Sequence, residues 1–434
     1  MLVNIKSKYI IKFVFEFIYK KLELKLVHYN KKFQNILEIS INDYIKCCYQ
    51  LEIELVPDNI KKKQYNKFIN LNENNKYFHI YFNNSNKETD TNYIGTLENI
   101  SKIRIVIDSG IKSLCKLFYD CTILKEIKFI KFNREDFLDM SEMFYFCKNV
   151  INLDVSKLKT NNVKNMLYMF SECSSLKQLD LSNFKTDKVL NMNCMFMGCT
   201  SLSLLNISKF NTYNVKYMNC MFCACSSLKN IDLSNFNTYN IINMGSMFSG
   251  CSSLKNINIL NFKTNNVIDM SYMFCGCSSL KKLDLSNFKN YKLLDMNHMF
   301  SGCRSLEKLN LSNFITENVE DLSYAFSECV ELNDINLLNF LTNNVKKMSY
   351  MFQFCSALKK LNVSNFCTEK VFTMSGMFKG CSSLINLDIS NFNLNNVKNM
   401  DYMFSDCSNE LKNKIKKQKK GLDNAAFDDL YYGP

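Results

Sequence analysis

The sequence predicts a curved α/β solenoid, with a parallel sheet on its concave side and short helices on its convex side. Two observations support this: a motif of constant length recurs along most of the chain, and two hydrophobic periods alternate inside each copy. Cysteines mark the copies at intervals of 26 residues, without insertion or deletion. They are Cys121, Cys147, Cys173, Cys199, Cys225, Cys251, Cys277, Cys303, Cys329, Cys355, Cys381 and Cys407.

Each repeat is described by positions counted from its cysteine. Leucine stands at +3 and +6, Asp or Asn at +7, and Leu, Ile or Val at +8, and Ser-Asn-Phe follows at +9 to +11. Threonine is usual at +13, asparagine at +15, valine at +16, methionine at +19 and Met-Phe at +22 and +23. The copy Cys251–Phe274 reads CSSLKNINILNFKTNNVIDMSYMF and shows this consensus well.

The first part of the repeat is predicted to be a strand and the later part a helix. Leu283 and Leu285 flank Asp284, an apolar/polar alternation that indicates a short strand. Apolar residues at +16, +19, +22, +23 and +26 fall within an arc of about 120° on a helix, which is one face. Glycine often precedes the cysteine, where a turn needs positive φ; the examples are Gly198, Gly250, Gly276, Gly302 and Gly380.

A single unit of this kind cannot bury its apolar face, whereas a stack of neighbours can. Strands in register stack at about 4.8 Å, but packed helices need about 8–10 Å. The strand side should therefore be the concave side of an arc. Eleven strands, from about Lys125 to Asn391, would line a wall of roughly 50 Å.

The repeat resembles a known family. The segment Leu280–Leu285 has the form Leu-x-x-Leu-x-Leu, which is the core of leucine-rich repeats. The fuller string, Met-Phe-x-Gly-Cys-Ser-Ser-Leu-x-x-Leu-Asp-Leu-Ser-Asn-Phe-x-Thr-x-Asn-Val, resembles BspA-type leucine-rich-repeat proteins over about Leu114–Cys407. The resemblance implies a solenoid that binds proteins or adheres, often at cell surfaces.

The chain divides into residues 1–94, an N-terminal helical or mixed cap or adaptor region; residues 95–407, the solenoid; and residues 408–434, a polar C-terminal cap and disordered tail. In the first region, Met1–Tyr49 is predicted to form amphipathic helices. Ile53–Pro57 and Tyr77–Phe82 are predicted strands, and Asn83–Asn92 a polar linker. Ile100–Ile105 looks like a degenerate first strand of the stack, because a terminal repeat is expected to be atypical.

Both ends leave alternatives open. Ile5–Gln34 faintly resembles an F-box, which would make the chain a ubiquitin-ligase substrate adaptor; the other interpretation is a helical cap on the core. Asn409–Lys420 is predicted to be a lysine-rich helix that covers the last repeat, with Asp423–Pro434 disordered. The run Lys416–Lys420 is either a solvated helix end or a nuclear-import patch.

The formal net charge of +13 keeps nucleic-acid binding as a further alternative. Lysine, asparagine and isoleucine are abundant together, which an A/T-rich coding sequence would also produce, so the charge is discounted. Lys12 and Glu16 interrupt the apolar run at the start, and no stretch is long enough to cross a membrane. The expectation is a monomeric cytoplasmic protein, with unconventional export to the cell surface as the alternative.

The cysteines at the start of each repeat are predicted to be buried free thiols, because a small apolar residue suits an internal ladder. The densest cluster is Cys220-x-x-Cys223-x-Cys225. Helical spacing would place Cys220 on the outer face beside Cys194 and Cys225 in the core, so the four convergent ligands that zinc requires are not expected. The three histidines have no nucleophile partner at a recognisable spacing; they are His28, His79 and His298.

The sequence therefore predicts no enzyme, no cofactor and no small-molecule substrate, but a surface that binds an unidentified protein. The candidate surface is the concave wall, where +7 is Asp or Asn and +5 varies; the alternative is a solvated polar face. Its residues are Asp180, Asn206, Asn230, Asp232, Asn256, Asn258, Lys282, Asp284, Lys308, Asn310, Asn336, Lys360 and Asn362. A second stripe at +21 would either anchor a partner or shield neighbouring helices; it comprises Tyr168, Tyr272, Tyr324, Tyr350 and Tyr402, with His298.

Overall fold

The repeats stack into a solenoid, as predicted, and one continuous hydrophobic core runs along its axis from Leu51 to Phe427. The structure is a computed structural model, and it describes residues 8, 30–38, 49–58, 66–71, 75–95 and 99–429. Most of the predicted N-terminal helical segment lies outside these residues. Within it the structure describes one helix, α1 (Lys31–Leu37), whose N-cap is the side chain of Asn30.

The described chain contains many short strands and few helices. A second helix, α2 (Asn409–Gln418), follows the last repeat, and 3-10 turns occupy Asn75–Tyr77 and Asn424–Phe427. The strands are β1 (Leu51–Pro57), β2 (Asn66–Lys67), β3 (Phe78–Phe82), β4 (Glu88–Thr89), β5 (Tyr93–Ile94), β6 (Ile103–Ile107), β7 (Leu124–Phe132), β8 (Asn152–Asp154), β9 (Gln178–Asp180), β10 (Leu204–Asn206), β11 (Asn230–Asp232), β12 (Asn256–Asn258), β13 (Lys282–Asp284), β14 (Lys308–Asn310), β15 (Lys360–Leu361) and β16 (Asn386–Leu387).

A mixed sheet caps the N-terminal end of the stack, with strand order β4-β3-β6-β1-β7-β8. The strands predicted at 53–57 and 77–82 are confirmed as β1 and β3. Strand β6, expected to be the first strand of the solenoid, instead lies beyond β1, which pairs antiparallel with both β6 and β7. An antiparallel strand covers the edge that a parallel stack would leave open. The boundary at residue 94 stays a prediction, and strands from both sides of it share this sheet.

Strands β7 to β16 lie on one side of the solenoid and pair two by two, in parallel and in register. Residues 334–336 form no strand, so this side has ten strands and not the predicted eleven. Backbone bonds such as Ser227 N to Thr200 O at 3.2 Å join neighbouring repeats whose strands do not pair. Leu179 lies opposite Leu205, and Ile231 opposite Ile257, so equivalent residues of successive repeats face each other. A second ladder of parallel bridges runs at +18 from Asp139 to Asn399, without interruption. Each coil, which is the turn of the solenoid formed by one repeat, is therefore hydrogen-bonded to the next at two places on its circumference.

The segment from +19 to +26 forms turns and not the predicted helix. No helix occurs anywhere in residues 124–407, all of which the structure describes. Two residues per repeat, at +21 and +25, adopt left-handed backbone; Cys220 and Ala224 have φ of 55° and 58°. Positive φ at the glycines before the cysteine is confirmed, with values of 71–73° for Gly250, Gly276 and Gly302 among others.

The backbone hydrogen bonds explain why a helix does not form. The amides at +19, +21, +23 and +25 donate to carbonyls of the next repeat, as Phe196 N does to Met221 O at 2.9 Å. The amides between them close turns within the repeat, as Met195 N does to Met192 O at 3.3 Å. A helix would use most of these amides internally, which would leave too few to join the coils.

The turns also remove the expected cause of curvature. Helices on the convex side would hold successive repeats at 8–10 Å. Instead, the rings at +21 lie 4.4 Å apart between Tyr272 and His298 and 4.3 Å apart between His298 and Tyr324. The turn side therefore stacks as closely as paired strands do.

The core is built from ladders of identical side chains. Phenylalanines at +23 stack from Phe118 to Phe404, with ring centroids 5.3–6.0 Å apart. Each ladder cysteine from Cys147 onward donates its thiol to the carbonyl of such a phenylalanine in the preceding coil, at 3.0–3.3 Å. These thiols are free and buried, as predicted. Burial raises the pKa of Cys147 to about 12.

Threonines at +13 form a buried polar ladder. The hydroxyl of Thr212 donates to Asn237 O at 2.8 Å and accepts from Asn237 N at 2.8 Å. This one side chain therefore makes two hydrogen bonds to the next coil. Asn290 replaces threonine in one repeat, is 1% exposed, and has no hydrogen-bond partner for either its amide nitrogen or its amide oxygen. An unpaired buried amide is costly because it loses its hydrogen bonds with water.

The C-terminal segment closes the stack. Helix α2 confirms the predicted helix after the last repeat, and it buries Leu411 and Ile415. Residues 423–429, expected to be disordered, are ordered because their carbonyls accept hydrogen bonds from the last coil. Tyr402 N and Phe404 N donate to the carbonyls of residues 425 and 426 at 2.7 and 2.8 Å. Phe427 stacks on Phe404 at 5.4 Å and extends the phenylalanine ladder by one ring.

Asn290→Thr should stabilise the protein, because it restores the missing rung of the threonine ladder. We expect the free energy of unfolding to rise by about 1–3 kcal/mol, measured by urea or thermal unfolding. Thr238→Asn, which places the same defect in an intact part of the ladder, is the matched control and should lower stability. An unchanged or lower free energy of unfolding for Asn290→Thr would show that the unpaired side-chain amide of Asn290 does not destabilise the protein.

Candidate functional site

The candidate surface is the outward side of the strands, called the strand face and defined by the side chains at +5 and +7. In β11, β13 and β14 the central residue is buried and its two neighbours are exposed. This alternation is the expected consequence of pleated backbone over a core. All of the residues predicted for the binding surface are exposed.

The structure gives the +7 residues a local role. The side-chain oxygen of each Asp or Asn accepts a hydrogen bond from the backbone amide two residues later, at 2.9–3.3 Å. This is an Asx turn, which ends the strand and redirects the chain. The bond from the backbone amide of Ser234 lowers the pKa of Asp232. The constancy of +7 therefore follows from the turn.

The +5 residues are those that vary along the strand face. Asn256 donates to Asn230 at 3.3 Å across neighbouring repeats. Farther along, lysines occupy this position at 282, 308 and 360, all of them exposed. Asp334 and Asn386 also occupy this position, so the strand face changes from amide-rich to mixed in charge toward the C-terminal end.

Three depressions follow one another along the strand face. The first, of about 530 Å³, is lined by Gln178, Asp180, Leu204 and neighbouring residues. The second, of about 620 Å³, lies between Lys282 and Asp334. The third, of about 860 Å³, lies at the C-terminal end and is the largest of the three.

The third depression, called the C-terminal groove, is lined by the last strands and by one side of α2. Gln418 of α2 donates to the carboxylate of Asp388 at 2.5 Å and accepts from Ile389 N at 3.3 Å, which fixes the helix against the strand face. Leu338 and Ile385, which are 56% and 42% exposed, line the groove. Sequence reasoning missed both of these residues and the contribution of α2. Leu338 could have been found, because it replaces the usual serine at +9.

The second predicted stripe, at +21, is a stack of rings. Tyr324 and Tyr350 lie 4.8 Å apart, continuing the stack that includes Tyr272 and His298. Desolvation by burial lowers the pKa of His298. These rings mainly cover one another and the turns beneath them, which supports the shielding interpretation of this stripe.

The cysteine cluster divides between two environments, as its spacing predicted. Cys225 belongs to the core and donates its thiol to Phe196 O at 3.2 Å. Cys220 lies next to Cys194 in the +21 column, a column being the set of residues at one position of successive repeats. Both Cys220 and Cys223 are half-buried. Among the described residues, no three His, Cys, Asp or Glu side chains come together in an arrangement suited to a metal ion.

Two sequence-based alternatives concern other parts of the chain. Ile5–Gln34, the segment with the F-box resemblance, lies almost wholly outside the described residues. In the part of the chain that the structure describes, no helix has the length and apolar character needed to cross a membrane.

The two hydrogen-bonded ladders, the 26-residue period and the buried leucine, methionine and phenylalanine columns define a leucine-rich-repeat solenoid. The family described as "Mycoplasma protein of unknown function, DUF285" matches residues 112–231, 218–335 and 294–418, which together exceed half of the chain. The chain belongs to this family and is a BspA-type leucine-rich-repeat protein. No match is found among curated proteins.

Several solved structures resemble the chain at low identity. A leucine-rich cell surface protein from Faecalibacterium prausnitzii is 16% identical, with a TM-score of 0.34 over 71% of this chain and 79% of that chain. TLR13, solved in complex with ssRNA13, is 16% identical, with a TM-score of 0.26 over 61% and 40%. The functional domain of InlJ from Listeria monocytogenes, which includes a cysteine ladder, is 14% identical, with a TM-score of 0.19 over 67% and 68%. At these TM-scores nothing about their ligands is carried over to this chain.

The Asx turns predict different roles for neighbouring exposed positions. Asp232→Ala should lower the melting temperature by about 1–3 °C, because the amide of Ser234 loses its acceptor. Asp232→Asn keeps the acceptor and should be nearly neutral. Lys282→Ala, at an exposed +5 position two repeats along the same face, is the control. Equal losses for Asp232→Ala and Lys282→Ala in thermal unfolding would remove the distinction between +7 and +5.

Proposed function

We propose that the protein is a non-enzymatic scaffold that binds another protein through its strand face, with the C-terminal groove as the principal contact. The observation that carries this proposal is the groove itself, which combines exposed apolar side chains with a polar rim and a volume of about 860 Å³. Grooves of this composition are where proteins place the buried anchors of an interface. No cofactor is part of the proposal.

The groove offers two kinds of contact. Leu338 and Ile385 provide apolar surface that a partner would remove from water. Lys360 and Lys414 lie on the same lining as Asp334, so both signs of charge are available for orienting a ligand. Charged groups at an interface rim contribute mainly specificity and association rate. An apolar anchor flanked by acidic and basic groups therefore fits the chemistry of a partner segment in this groove.

The +7 residues have a structural role and the +5 residues vary. This difference supports the rest of the strand face as the part that selects the partner. Because the +7 side chains are engaged in Asx turns, variation at +5 changes the surface without disturbing the fold. Lys282 and Lys308 line the central depression. A ligand that extends from the C-terminal groove along the strand face would meet these lysines next.

The test is capture of partners by the full chain and by variants, with identification by mass spectrometry. We expect Lys360→Glu combined with Ile385→Ser to weaken capture of a specific partner by about tenfold or more, equivalent to about 1.4 kcal/mol. Lys282→Glu combined with Lys308→Glu should give a smaller loss. Each variant should keep the melting temperature of the parent chain.

The matched control is Lys164→Glu combined with Lys216→Glu. Both lysines occupy exposed +17 positions, away from the strand face, so the change in net charge is the same as in the central-depression variant. This control should retain the partner. Retention by the groove variant together with loss by the control would refute the proposed surface.

We also propose a cytoplasmic location for the scaffold. Cys223, Cys275 and Cys367 are half-buried free thiols, and such thiols persist most readily in a reducing compartment. A membrane-impermeant biotin reagent should therefore label the protein only after cell lysis. Labelling in intact cells would instead support the cell-surface alternative.

A further inference from the structure

Cys194 and Cys220 occupy the same +21 position of two adjacent repeats. Both residues have left-handed backbone, with φ of 54° and 55°, so their side chains leave the chain in the same way. Cys194 N donates to Asn219 O at 3.0 Å, which ties the two turns together directly beside the pair. Equivalent positions of hydrogen-bonded neighbours lie at about 4.8 Å, inside the Cα–Cα range of about 4.4–6.8 Å that a disulfide spans.

The two thiols are in different environments. Cys194 is 4% exposed, whereas Cys220 is half-buried and accepts a hydrogen bond from Asn219 Nδ2 at 3.9 Å. The hydrogen bond between the two thiols lowers the pKa of Cys220 and raises the pKa of Cys194. The more accessible sulfur is therefore the one that deprotonates more readily.

We propose that Cys194 and Cys220 form a redox modification site whose reactant is a peroxide. The sulfur of Cys220 attacks one peroxide oxygen, the O–O bond breaks, and the leaving hydroxide takes a proton to become water, which leaves a sulfenic acid on Cys220. The sulfur of Cys194 then attacks the Cys220 sulfur. An S–S bond forms, the S–O bond breaks, and the hydroxyl leaves as water with the Cys194 proton. Two electrons pass from the two sulfurs to the peroxide.

Most of the other cysteines that the structure describes are poor candidates for this chemistry. The ladder thiols, such as Cys225, are fully buried, and desolvation raises their pKa well above its usual range. Burial also raises the pKa of Cys223 to about 11 and raises that of Cys275. The latter two share the +24 column but stand two repeats apart, with Ser249 between them. The thiolate is the reactive form, so oxidation should select Cys220.

The product would join neighbouring coils covalently at a position where backbone hydrogen bonds already join them. Formation of the disulfide needs no large movement, since the coils are already in register at this point. The cross-link would restrain the separation of these two repeats in the unfolded chain. The melting temperature should therefore rise on oxidation and return on reduction.

The experiment treats the reduced full-length chain with hydrogen peroxide, blocks the remaining thiols by alkylation, and maps the peptides without reduction. We expect one cross-linked pair, Cys194–Cys220, with the loss of two hydrogen atoms and reversal by dithiothreitol. Cys194→Ser should leave Cys220 as a sulfenic acid that dimedone traps. Cys220→Ser should abolish the cross-link. Serine is suited to this position, because Ser246 occupies it in the next repeat with a φ of 55°.

The controls are Cys223→Ser and Cys367→Ser, which remove other half-buried thiols and should leave the cross-link intact. Alkylation of the reduced chain at neutral pH should modify Cys220 before either of them, and several-fold more slowly in Cys194→Ala, which lacks the hydrogen-bond donor, than in the parent. This measurement does not depend on the disulfide. Preferential oxidation of Cys223 or Cys367, or a disulfide that joins two chains, would overturn the proposal.

Discussion

The structure depends on one constraint: the backbone of each coil must hydrogen-bond to the next coil in exact register. Parallel strand pairs satisfy it on one side, and the bridges at +18 and the alternate amides of the turns satisfy it on the other. Because both sides are tied, one inserted residue would displace every later bond of its coil. The unvarying length of 26 residues is the consequence of this requirement, and the side-chain ladders follow from it.

Once the coils are in register, identical residues stack on identical residues, and each column has one structural role. Phenylalanine at +23 and cysteine at the start of the repeat fill the core, where the thiol also satisfies a carbonyl. Threonine at +13 and asparagine at +10 join coils through polar side chains, as Asn235 does with Phe210 O at 2.6 Å. Asp or Asn at +7 ends the strand. Few columns remain in which variation has no structural cost, and +5 is the clearest of these on the strand face.

The two ends of the stack show what is needed where no neighbouring coil is present to accept these hydrogen bonds. A repeat at an end has unpaired backbone groups and an uncovered core. At the N-terminal end, Asn70 donates to the carbonyls of Leu117 and Lys116, and β1 covers the edge of β7. At the C-terminal end, residues 423–429 and α2 cover the last coil. Because α2 must also lie against the last strands, it forms one wall of the C-terminal groove, so the cap and the proposed binding surface share residues.

The sequence by itself determined the period, ten of the eleven predicted strands, the buried columns and the exposed character of +5 and +7, because these depend only on the spacing of apolar residues along one repeat. It also indicated that Cys220 and Cys194 share a face, since both stand at the same position of adjacent repeats. Only the tertiary structure decided that the +19 to +26 segment forms turns. Helix and turn both place residues at +19, +22, +23 and +26 on one face, and the choice rests on hydrogen bonds to a neighbouring coil. The C-terminal groove was likewise decided in three dimensions, because α2 and Leu338 meet only when the chain is folded.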